Sequence, residues 1–76
     1  MIGMVTVDTN AVRAAMLEQG IGTMEFASRA GVLPKVASLY ATGKQTRARI
    51  PTVTKLARGL NVSPMELVKR EDNDGD

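Results

Sequence analysis

Cysteine and histidine are both missing from this 76-residue chain. Their absence excludes disulfides, thiolate and imidazole metal ligands, a cysteine nucleophile and any triad built on an imidazole base. No nucleophile-and-base constellation remains among the other residues, so neither an enzyme nor a cofactor is expected. Tryptophan is also absent, and the single phenylalanine and tyrosine, Phe26 and Tyr40, fall at positions that read as core. A platform of exposed rings for stacking single-stranded bases is therefore not expected. No apolar run approaches 18 residues and no charged-then-apolar leader opens the chain, so the reading is of a cytoplasmic protein with no membrane span.

Acidic residues are scarce until the end. Residues 1–70 hold all 10 Lys and Arg against 4 acids, a net +6, whereas Glu71, Asp72, Asp74 and Asp76 crowd into the last six positions. A compact basic body attracts polyanions, because neutralised phosphates release condensed counterions. The organisation expected is one domain over residues 1–70, with an N-terminal arm over 1–7, and an acidic disordered tail over 71–76 that either solubilises the chain or competes for the basic face. A core this small supplies only about 3–5 kcal/mol of net stability, and a homodimer is one source of more.

The apolar start, with Met4 alternating against Val5 and Val7, suits a short strand or a packed arm. A helix is expected from Asp8 or Thr9 as cap to Gln19, stopped by Gly20, with Val12, Ala15, Met16 and Gln19 as its inner stripe. A second runs over Thr23–Ala30 and a third over Pro34–Ala41, where proline suits the first turn and Gly43 ends the helix. Residues 44–49 read as a loop. Ile50, Val53, Leu56, Ala57 and Leu60 then recur at helical spacing, with Pro51 in the permitted first turn. Ser63-Pro64-Met65-Glu66 has the form of a capping box and predicts a fifth, short helix ending near Lys69, where Lys69 and Arg70 would suit its dipole.

The most informative passage is Phe26-Ala27-Ser28-Arg29-Ala30-Gly31-Val32, followed by Ala37, Tyr40 and Gly43. Phe26 and Ala30 sit four apart on one helix, and Ala37 and Tyr40 three apart on the next, so both stripes face one core. Ala27 is small where the helices come closest, Gly31 falls where a positive φ is needed, and Val32 plugs the corner. This is the sequence form of a helix-turn-helix, whose second helix can enter a DNA groove.

With Gly20-Ile21 before these residues, and Gly43-Lys44, Leu56-Ala57, Leu60-Asn61-Val62-Ser63 and Glu66-Leu67 after them, the chain from about Val12 to Leu67 resembles the lambda-repressor/Cro-like, XRE-type family. Three positions depart from the family's habit: Leu33 stands where a polar residue is usual, Ala37 where a branched aliphatic is usual, and Ala41 where glutamate is frequent. The resemblance implies an all-α, compact five-helix DNA-binding domain with the helix-turn-helix formed by the second and third helices. It also implies a transcriptional regulator, in this minimal size a repressor of a phage, plasmid or mobile element.

Subtracting the core stripe of the third helix leaves Leu33, Pro34, Lys35, Ser38 and Leu39 as candidates for base contact, with Val36 intermediate. Lys35 can reach guanine O6 or N7, or a phosphate instead, and Leu39 can lie on a thymine methyl. Candidates for phosphate contact are Thr23, Thr42, Lys44, Thr46, Arg47 and Arg49. Arg29, Lys55 and Arg58 read as outer-face charges. The expected partner is double-stranded DNA carrying a short, partly palindromic operator, bound by a homodimer whose two groove helices lie about 34 Å apart. Two other readings stay open: an antitoxin that also binds a toxin, and a protein-interaction module that uses the apolar third helix.

Overall fold

Local chemical signals set one or both ends of each helix, in a computed structural model that describes residues 3–69. The tail expected over 71–76 lies outside the described residues, as do Met1, Ile2 and Arg70. α1 spans Thr9–Gln19, and its cap is Asp8, whose carboxylate accepts from the amides of Asn10 at 3.1 Å and Ala11 at 3.2 Å. α2 spans Thr23–Ala30 and stops at Gly31, which adopts a φ of 74° and donates its amide to the Ala27 carbonyl at 2.9 Å. Only glycine takes that left-handed conformation without a Cβ penalty. α3 spans Pro34–Thr42, opening on proline in its first turn and closing at Gly43. α4 spans Ile50–Leu60 and ends on Asn61, the one non-glycine residue with positive φ among the described residues. Asparagine tolerates this region better than most side chains.

The four helices share one core. Phe26, Val12, Leu56, Leu60 and Val53 are essentially sealed from solvent, and Ala27, Ala30, Ala37, Tyr40 and Ala41 are buried with them. α2 packs against both α4 and α3, while α1 packs mainly against α3. The contact of α2 with α4 is unusually close at one point: a Cβ on Gly59 would stand 2.7 Å from both the amide nitrogen and the Cβ of Ala30. No L side chain fits there without displacing backbone.

Three expectations fail, and each for a tertiary reason. The fold is not a five-helix, all-α domain: it has four α-helices and a two-stranded antiparallel sheet. β1 (Met4–Thr6) pairs with β2 (Arg47–Arg49) in the register Met4 to Arg49, Val5 to Ala48 and Thr6 to Arg47. Residues 47–49, read as loop, are thus a strand, with Ala48 turned into the core at 3% exposure and both arginines turned out. Three residues are too few to show a period in the sequence; the pairing comes from the N-terminal segment, whose Val7 amide also donates to the Thr46 carbonyl.

The fifth helix is a single 3-10 turn, Pro64–Leu67. Its capping box is present: the Ser63 amide donates to the Glu66 carboxylate at 3.4 Å, and the Ser63 hydroxyl accepts from the Met65 amide at 3.3 Å. Propagation stops because the following residues pair with the free edge of the N-terminal segment. Leu67 accepts from the Asp8 amide at 2.7 Å, Val68 bridges Val7, and the Lys69 amide donates to Thr6 at 2.8 Å. A nucleated turn that must add further residues at marginal gain loses to a strand edge already in place. Lys69 therefore does not cap a helix dipole.

Smaller corrections concern the stripes. Gln19, grouped with the inner face of α1, is exposed, and its side-chain amide reaches across to the carbonyl of Leu60 at the end of α4. Ile50, grouped with the core face of α4, is 51% exposed at the first position of that helix.

Candidate nucleic-acid interface

α3 carries two faces separated by its period. Ala37, Tyr40 and Ala41 are buried, while Lys35, Ser38, Leu39 and Thr42 fall at the i, i+3, i+4, i+7 spacing of a single stripe on the other side. Along that stripe Lys35 and Thr42 are exposed and Ser38 and Leu39 half-buried. Leu33 caps the helix in extended conformation and is 69% exposed; Pro34 beside it is exposed as well. Val36 is half-buried against the core. The five candidates for base contact thus lie together on the outward side and leading end of one helix.

The candidates for phosphate contact divide. Lys44 is exposed one residue beyond Gly43, and Thr46 is exposed just before β2. Arg47 and Arg49 lie on one face of β2, two residues apart, so their side chains leave the sheet in the same direction. Opposite them on β1 stand Thr6 and Met4, in the closer, non-hydrogen-bonded kind of pair implied by the ladder bonds from Val7 to Thr46 and from Ile50 to Gly3. Thr23 is half-buried at the first position of α2 and belongs to neither α3 nor β2. Thr42 spends its one hydroxyl proton on the Ser38 carbonyl at 2.8 Å, so in this rotamer it has nothing to donate to a phosphate.

The arginine strand is fastened to α3. The Tyr40 hydroxyl, on a side chain only 3% exposed, donates to the main-chain carbonyl of Arg47 at 2.8 Å. Gln45 supports the same joint: its side-chain amide donates to the Tyr40 oxygen at 3.2 Å and to the Arg47 carbonyl at 3.3 Å, while its main-chain amide donates to the Leu39 carbonyl at 3.2 Å. Burial raises the Tyr40 pKa above its ordinary value of 10.0, an effect that the Gln45 bond partly offsets. The phenol is therefore neutral, and able to donate, throughout the physiological range.

Charge is distributed unevenly among these groups. Among the described residues ion pairing is confined to Arg29 and Glu25, at 2.7 Å on the exposed face of α2. Lys35, Lys44, Arg47 and Arg49 thus carry no carboxylate partner among the described residues. Arg13 acts within the fold, where its guanidinium donates to the Ala41 carbonyl at 3.0 Å and closes the end of α3. Neither Gln45 nor Arg13 could be singled out from the sequence, because a lone polar side chain carries no pattern and its partner is known only after folding.

No family model, curated protein or solved structure matches this chain. Among the described residues, no helix is long and apolar enough to cross a membrane.

Proposed function

We propose that this chain is a sequence-specific double-stranded DNA-binding regulator of transcription, of the XRE-type helix-turn-helix kind, acting as a repressor that occludes a promoter. The observation that carries the reading is the joint between α3 and β2. A helix with an outward polar and apolar stripe is bonded, through Tyr40, to a strand presenting two arginines that have no carboxylate partner among the described residues. The stripe supplies groups for base edges, and the strand supplies cations for the adjacent phosphates, which position a protein without reading sequence. Lys44, exposed two residues past the end of α3, is a further cation for the phosphate backbone.

The base-reading side is poor in the forked side chains that distinguish guanine and adenine best. Leu33, Pro34 and Leu39 favour apolar contact with thymine methyls, and Lys35 and Ser38 supply the polar contacts. A single copy offers one short helix, so a homodimer on a partly palindromic operator provides the remaining specificity.

The test is selection of bound duplexes from a random pool at stated salt, followed by binding titrations on the recovered sequence. An inverted repeat with half-sites one helical turn apart is the expected result. If no duplex is retained above background, the reading fails. In that case the exposed Leu33 would favour a protein partner on α3 instead.

A further inference from the structure

Gln45 is bonded both to the end of α3 and to β2. Its main-chain amide holds the Leu39 carbonyl, and its side-chain amide holds the Arg47 carbonyl and the Tyr40 oxygen. The bonds are mutually consistent: the Tyr40 oxygen accepts from Gln45 while its proton goes to Arg47. They also occupy the outward-facing carbonyl of β2, the group that a strand edge would otherwise leave to solvent. The register of β2 relative to α3 is thereby fixed from the helix side, while β1 fixes it from the other.

That register has a consequence for the cations. Arg47 and Arg49 leave β2 on the same face, about 6.7 Å apart along the strand, a step comparable to that between successive phosphates of one nucleic-acid strand. We infer that Gln45 and Tyr40 are positioning residues for a two-phosphate grip, in which Arg47 and Arg49 each take one of two successive phosphates of the same DNA strand. The inference rests on the DNA-binding reading and adds to it which element holds the backbone and what sets its place relative to the groove helix. The grip belongs to a strand, whose two side chains share a direction, and not to a loop whose cations would each move alone.

Gln45 is exposed, so Gln45→Ala removes the amide without opening the core. Binding of a short mixed-sequence duplex, titrated against salt, provides the measurement, since phosphate contacts do not depend on base sequence. Gln45→Ala is expected to weaken binding about three- to ten-fold, the range of one or two net hydrogen bonds, with the unfolding midpoint lowered no more than by Tyr40→Phe and the chain still fully folded under the titration conditions. In an Arg47→Ala, Arg49→Ala background the same substitution is expected to do nothing measurable, because residues acting through one group are not additive. Tyr40→Phe, compared in both backgrounds, gives the second cycle. Placing neutral methylphosphonates at two successive positions should likewise erase the Gln45 effect.

Equal affinity for Gln45→Ala and the unaltered chain would overturn the inference. So would a loss that persists undiminished once both arginines are gone. Those results leave DNA binding standing, whereas an unaltered chain that binds no duplex at any salt removes both.

Discussion

The Tyr40 hydroxyl and the Arg47 carbonyl, 2.8 Å apart, join the buried side of the outward-facing helix to the strand that carries the exposed arginines. Tyr40→Phe keeps the ring, and hence the packing, but leaves a partly buried carbonyl with a weaker partner. The expected cost is about 0.5–1.5 kcal/mol, read as a lower denaturant midpoint at neutral pH with an unchanged slope.

The same residue predicts a pH dependence. Burial raises the Tyr40 pKa in the folded chain above 10.0. Below pH 10 the phenol is neutral in both states and contributes no slope. As the pH rises past 10 the unfolded phenol ionises first, the unfolded state binds fewer protons, and stability falls until the folded phenol ionises too. Unfolding titrations of the native chain and of Tyr40→Phe, between neutral pH and about pH 11, should therefore converge as the native chain loses its advantage; parallel curves would contradict the assignment of burial as the cause.

Two glycines should fail for different reasons. Gly31→Ala places a Cβ in open space but at a φ of 74°, so its cost is the left-handed strain alone, about 1–2 kcal/mol. Gly31→Asn should recover part of it. Gly59→Ala meets the Ala30 backbone at 2.7 Å, and helix backbones must separate to admit it. An overpacking cost of about 1–3 kcal/mol is expected, with no relief in Gly59→Asn, and thermal melts of the four variants distinguish the two mechanisms.

Arg47→Ala and Arg49→Ala should each lower the salt slope of duplex binding by about 0.9 of a logarithmic unit for every phosphate no longer neutralised. Neither should alter the ranking of operator variants, and neither should shift the melting temperature, since both side chains are exposed. A full-strength salt slope in the double variant would place the phosphate contacts elsewhere.

Lys35→Ala and Ser38→Ala should instead change the preference among operator variants, each good base contact being worth about 1–3 kcal/mol of discrimination. Thr42→Ala is expected to leave both affinity and preference nearly unchanged, because its hydroxyl already serves the Ser38 carbonyl. A strong loss at Thr42 would mean that the rotamer changes on binding.

What the sequence determined by itself is local. Asp8 before α1, Gly31 after α2, Pro34 at the head of α3 and Gly43 at its end act within a few residues of their positions, and the Ala37 and Tyr40 spacing chose the buried face of α3. Which residues of α3 stay outside follows by subtraction. The tertiary structure decided what depends on distant partners. The N-terminal segment turned residues 47–49 from loop into strand, and the chain after Leu67 left the helix that its capping box had begun in order to pair with that same segment. Gln45 acquired its place between α3 and β2 in the same way. Caps and helical periods are written in neighbouring residues, whereas a strand of three residues is stable only through the hydrogen bonds its partner supplies, and that partner lies some forty positions away in the chain.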